Sequence, residues 1–189
     1  MLVLFHDYTS PASAVAVARV TRLIAEGVPA RIEGTEVLGV EATLPVTVDL
    51  LAELDAVAAQ ARAEGIVLRR PAGLPPTAAA HLIEDLATEL DRADAWRARC
   101  YRAFWADGED ISDHGVLRRL ANDVGLPAED AARRVGDRVA LLEIRRRFAG
   151  HRSDGVGGVP TISYDRTLIP GLLDEADLRA LAALGPASA

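Results

Sequence analysis

The chain reads as an α/β fold interrupted by a large all-helical insert, and three observations predict it. Leu2, Val3, Leu4 and Phe5 form a short apolar run of strand length, and a loop and a run of helix formers follow. A second strand signal then completes a strand–helix–strand unit, which makes a parallel crossover. Residues 47–149 carry almost only helical periodicity, and strand signals return at 159–169. The strand-bearing ends, 1–39 and 153–189, are therefore expected to form one discontinuous domain. Residues 40–152 form the insert.

In order along the chain, Ser10-Pro11 opens the first helix. Ser is a preferred N-cap, and Pro is best tolerated at the first helical position. Gly27 followed by Val28-Pro29 stops the helix. Residues 30–39 read as the second strand. Leu50, Leu54, Val57 and Ala61 recur at helical spacing within 47–64, with Asp49, Glu53 and Asp55 towards the N-terminal end. A short extended piece at 66–68 and a Pro-rich loop at 71–76 follow. Thr77 then caps a helical region that runs to 106, more than one helix long. Leu82, Leu86 and Leu90 form its stripe, and Trp96, Tyr101, Phe104 and Trp105 its aromatic cluster. A turn at 108–113 precedes a helix capped by Ser112 or Asp113. Residues 128–149 read as one long helix with Val135, Val139, Leu142 and Ile144 inward. The glycine-rich stretch 150–158 is expected to be flexible. Two strands turn at Asp165-Arg166, a last helix starts at Asp174, and the tail 185–189 should fray.

Composition narrows the function. Half of the 189 residues are hydrophobic, enough for a sizeable core. The net charge of −7 argues against nucleic acid, which needs a basic face, and against an anionic membrane surface. Cys100 is the one cysteine, so the chain cannot form an internal disulfide or hold a redox dithiol. Met1 leads straight into the first strand without a targeting pattern, and no apolar run spans a membrane, which predicts a cytoplasmic protein. His81, His114 and His151 are scattered without ligand spacing, so no metal is expected, while His6 could line the pocket mouth. Ser10, His6 and Asp7 lie close in sequence, but neighbours on a strand face opposite ways, which argues against a hydrolytic triad. Arg145, Arg146, Arg147 and Arg152 read as a solvated helix end, with an anion contact beside Ser10 as the alternative.

Two motifs carry a family resemblance. Ser10-Pro11-Ala12-Ser13 stands where members of the DsbA-like thioredoxin-fold superfamily carry Cys-Pro-x-Cys. Gly158-Val159-Pro160-Thr161 resembles that superfamily's Gly-Val-Pro-Thr motif. The Ser-Pro-x-Ser form is also similar to kappa-class glutathione transferases and 2-hydroxychromene-2-carboxylate isomerases. The resemblance implies a thioredoxin-like fold, a cis Val159–Pro160 bond facing the helix start, glutathione as cofactor, and a small thiol or peptide-like ligand as partner; it allows a homodimer. Three positions depart from those relatives. Pro76 precedes Thr77 where Asn is usual, Leu172 and Leu173 follow Gly171 where polar residues are usual, and Ala12 replaces a bulky aromatic.

The resemblance makes Ser10 and Ser13 the catalytic candidates and Val159 and Pro160 the ligand-binding ones. Ser10 would donate to a bound thiol and stabilise its thiolate at the positive helix end. It also serves as a plain N-cap, and the two roles are compatible because the cap bond leaves the hydroxyl proton free. Ser13, one turn in, either joins that pocket or contacts only local backbone. Three readings stay open: a glutathione- or thiol-dependent transferase or isomerase using Ser10, an inactive ligand- or peptide-binding module using the proline groove, and an oxidoreductase by family membership alone.

Overall fold

The computed structural model describes residues 1–184. Its elements run β1 (Leu2–His6), α1 (Pro11–Ala25), β2 (Ala30–Gly34), α2 (Val48–Ala63), α3 (Ala78–Glu89), α4 (Ala93–Trp105), α5 (His114–Asp123), α6 (Ala128–Gly136), α7 (Arg138–Ser153), β3 (Thr161–Tyr164), β4 (Thr167–Pro170) and α8 (Glu175–Ala183). The four strands form one sheet in the order β2-β1-β3-β4. β1 pairs parallel with β2, and β3 pairs antiparallel with both β1 and β4. Leu4 sits at the centre, between Ile32 and Ile162. All five residues of β1 are buried, as a continuous apolar run in a central strand requires.

The chain is thus α/β, with six helices between β2 and β3. One apolar cluster joins the sheet residues Leu2, Leu4 and Ile162 to Val20 and Leu23 of α1 and to Ile83, Trp96, Trp105 and Leu117 of the helical part. The division at 39/40 and 152/153 is accordingly read as one of chain order, across which packing is continuous. No described helix is long and apolar enough to cross a membrane.

Several elements differ from the sequence reading. β2 ends at Gly34, because the chain past it turns inward to bury Thr35 and Glu36. Residues 66–68 form no strand. Thr77 makes no side-chain cap. The buried Glu36 carboxylate instead accepts from the N–H groups of Thr77 (2.8 Å) and Ala78 (3.2 Å), satisfying the start of α3 from a distant loop. Leu90 lies just past the end of α3 and is exposed. Residues 128–149 form two helices, since Asp137 breaks the run and caps α7. Val139 and Leu142 then face outward, while Val135, Ile144 and Phe148 are buried. α7 extends to Ser153, into the first part of the stretch 150–158 expected to be flexible. The hairpin turn holds both Asp165 and Arg166 at positive φ (44° and 67°), the geometry that matches strand twist in a two-residue loop. The expected fraying of 185–189 lies outside the described residues.

Candidate functional site

The first turn of α1 faces the β3 entry. Ser10 is extended (φ −96°, ψ 120°) and caps the helix, its Oγ accepting from the Ser13 N–H at 3.1 Å. Pro11 has no N–H to offer, and the Ser13 N–H is taken by the cap. Ala12 is therefore the one first-turn residue whose N–H points outward without a partner from its own helix. That N–H donates to Glu53 Oε1 of α2 at 3.4 Å. The Ser10 hydroxyl lies 3.4 Å from the same oxygen and 3.5 Å from the Val159 carbonyl. The Val159–Pro160 bond is cis. Ser10, Ala12, Glu53 and Val159 thus converge on one point at the positive end of α1. Ser10, Glu53 and Val159 are half-buried, and Pro160 is buried beside them.

Ser13 differs from its neighbours. It is fully buried, and its hydroxyl has no hydrogen-bond partner among the described residues. Its contribution to the site is the N–H held by Ser10. Glu53 is the residue that sequence reasoning missed. It lies three residues after Leu50 and four before Val57, both buried, so it shares the inward face of α2. An acid on an apolar stripe was the available signal. Burial raises the Glu53 carboxyl above its usual range, against the two hydrogen bonds that lower it. No cation pairs with it among the described residues.

Beneath the loop lies a second set of polar groups. Asp7 Oδ2 accepts from the Val37 N–H at 2.9 Å, and the Asp7 carbonyl accepts from the Ser10 N–H at 3.1 Å. Trp105 Nε1 donates to the Tyr8 carbonyl at 3.0 Å. These bonds fix the chain that delivers Ser10. Deeper in, Glu84 accepts from Tyr8 OH (2.9 Å), His6 Nε2 (3.0 Å), His81 Nδ1 (3.0 Å) and Arg97 Nε (2.5 Å). Burial lowers the His6 pKa, and its Nδ1 lies 2.9 Å from Tyr101 OH, which donates to the Asp7 carbonyl at 3.2 Å. Burial also disfavours a charge on His81. The carboxylates of Asp7 (Oδ1 at 3.7 Å from Nε2) and Glu84 outweigh it and push the pKa up to about 9. Glu84 and Asp7 are held low against their own burial, Glu84 by His6, His81 and Arg97, and Asp7 by His81 and the Val37 N–H.

His81 is therefore grouped with His6, while His114 and His151 lie outside that group. His6, His81 and Glu84 place ligand-type atoms within 4.8 Å of one another. Arg97 and Tyr8 also hold Glu84, so a cation at this group would compete with them for its carboxylate. The triad reading fails on partners, since Ser10 meets Glu53 and Val159 and not His6. Its sequence argument was incomplete, because His6 and Asp7 both border His81. The arginines do not reach Ser10: Arg145 pairs with Glu41, Arg147 with Asp85 at 3.0 Å, and Arg152 donates to the Glu36 carbonyl. Cys100 is fully buried, and burial pushes its thiol well above the usual range. A cavity of about 910 Å³ lies along α1 and α4, lined by Ala14, Ala18, Ala98 and Arg69 among others. Neither Ser10, Glu53 nor Val159 borders it.

Comparison with known proteins agrees with this fold. Residues 1–182 match the sequence profile of the DSBA-like thioredoxin domain. No curated protein sequence matches at a significant level. Among solved structures, a probable DsbA oxidoreductase from Streptomyces coelicolor is similar with a TM-score of 0.83 at 24% identity, over 100% of this chain and 92% of that one. A 2-hydroxychromene-2-carboxylate isomerase gives 0.76 at 19% identity, over 97% and 93%. The cytosolic disulfide reductase DsbM from Pseudomonas aeruginosa, solved with glutathione, gives 0.66 at 22% identity, over 97% and 96%.

Proposed function

Since the chain belongs to the DSBA-like thioredoxin domain family but carries a single, buried cysteine, we propose that it binds a small thiol of the glutathione class at the start of α1. It works there as a transferase or isomerase, without dithiol exchange. The observation that carries this is the convergence of the Ser10 hydroxyl, the Ala12 N–H and the Val159 carbonyl at 3.4–3.5 Å from their present partners. A thiolate seated at that point would take hydrogen bonds from Ser10 and Ala12 and lie at the positive helix end. The Val159 carbonyl would accept an amide N–H of a peptide-like ligand, as in strand addition. The similar folds of an isomerase and of a reductase solved with glutathione support the ligand class.

A second reading, ligand or peptide binding without chemistry, draws on one observation: Glu53 already holds the donors that a thiolate would need.

Thermal unfolding with and without millimolar reduced glutathione tests the thiol site. A ligand at about a hundred times its dissociation constant adds roughly 2.7 kcal/mol of stability. The wild type should show that midpoint shift, and Ser10→Ala should show a smaller one against its own ligand-free baseline. An unmoved midpoint in the wild type would leave peptide binding at Val159 as the surviving reading.

A further inference from the structure

A thiol that binds as thiolate must give up its proton, and the structure holds a group placed to receive it. We propose that Glu53 is the proton acceptor for a thiol bound at Ser10, so that one negative charge moves from its carboxylate to the sulfur. The proposal rests on the thiol-binding reading above and adds the fate of the proton.

The argument begins with the donors. Glu53 Oε1 stands 3.4 Å from Ser10 Oγ and 3.4 Å from the Ala12 N–H. These are the two groups that would hold a thiolate at the start of α1. The Ser13 N–H is committed to the cap, and Pro11 has none. Two anions within a few ångströms cannot both stay ionised on one pair of donors. Expelling Glu53 would leave a half-buried carboxylate without a cation, since none pairs with it among the described residues. Proton transfer avoids both costs. The S–H bond breaks, an O–H bond forms on Glu53, and the Ser10 hydroxyl and Ala12 N–H turn from carboxylate to sulfur. The net charge of the site is the same before and after, and no oxidant or reductant takes part. Burial, which raises the carboxyl's proton affinity, works in the same direction.

A purely structural role, as a clip between α2 and α1, would not fix where the proton goes, so the test counts protons. Calorimetric titration with reduced glutathione at neutral pH is run in phosphate and in Tris, two buffers of different ionisation enthalpy. Thiolate ultraviolet absorption is followed in parallel. In the wild type the absorption should rise on saturation while the heats agree between buffers, because the proton stays in the protein. Glu53→Gln keeps an acceptor of the same shape but cannot take the proton. There the thiolate should either fail to form at neutral pH or form with release of about one proton per glutathione. Release of about one proton in the wild type, or binding without thiolate absorption, overturns the acceptor role while leaving the thiol site standing. Absence of any heat or absorption in the wild type removes the thiol site, and the acceptor with it. If Glu53→Gln does not fold, the wild-type buffer comparison decides alone.

Discussion

At Glu84 one buried carboxylate gathers hydrogen bonds from Tyr8, His6, His81 and Arg97, and it carries the only negative charge of the described structure that both His81 and Arg97 touch at 3.0 Å or less. Glu84→Gln would keep the volume and remove the charge. The Arg97 guanidinium, with its side chain 7% exposed, would retain Asp94 at the surface as its carboxylate partner, beside the Ile32 carbonyl at 3.5 Å. Breaking a buried pair from one side costs about 3–5 kcal/mol, so urea unfolding of Glu84→Gln should show a loss of that order. The His81 pKa, followed by NMR, should fall below its wild-type value of about 9 as one of its two carboxylates goes. Unchanged stability would mean that Asp94 and solvent already screen Arg97. Little of this residue's importance was legible. Glu84 sits between Leu82, Ile83 and Leu86 on a buried helix face, and that is a visible anomaly. Its partner His6 is 78 residues away, and no local pattern pairs the two. Ser10, by contrast, was legible twice over, from the Ser-Pro cap signal and from the motif it resembles.

Among elements, the helix starts divide by where their cap comes from. Ser10, Thr47, Asp113 and Asp174 each accept from an N–H three residues on, and each stands directly before its helix, so the sequence displays them. The start of α3 is satisfied by Glu36, 41 residues upstream, and Thr77 looks like a cap without acting as one. The break between α6 and α7 is the opposite error. Gly136-Asp137 carries a cap signal inside a run whose apolar spacing suggested continuity. The structure follows the cap, because Asp137 Oδ1 accepts from Val139 N–H (2.8 Å) and Ala140 N–H (3.3 Å). Asp137→Ala should therefore cost about 1 kcal/mol in urea unfolding, the usual worth of such a cap. A cost near zero would show that packing of Ile144 and Phe148, not the cap, holds the start of α7.

For the molecule as a whole, the buried charges set how stability depends on pH, and each sign follows from linkage. Asp7 and Glu84 have folded pKa values below their ordinary ones, so their contribution is present above the carboxylate range and is lost as pH falls through the depressed values. His6 is also lowered; its neutral form stabilises the fold above about pH 6.5, and protonation at lower pH removes that contribution. His81 acts the other way. Its folded pKa of about 9 exceeds the unfolded value of 6.5, so its contribution is complete below 6.5 and is lost as pH rises towards 9. At about 1.4 kcal/mol per unit, that loss is on the order of 3 kcal/mol. The buried Cys100 thiol, raised well above its usual range, adds to the alkaline limb, because the unfolded chain ionises it first. Stability should therefore peak slightly below neutral pH and fall on both sides. Urea unfolding across the pH range checks this, and His81→Gln isolates the histidine. The variant should be less stable than wild type at pH 6.5, where the imidazolium bridges Asp7 and Glu84. It should also lose most of the slope between 6.5 and 9, so that the two curves converge. If both fall in parallel across that interval, the slope belongs to groups other than His81, the Cys100 thiol among them, and the bridge under the Ser10 loop is held by Arg97 and Glu84 alone.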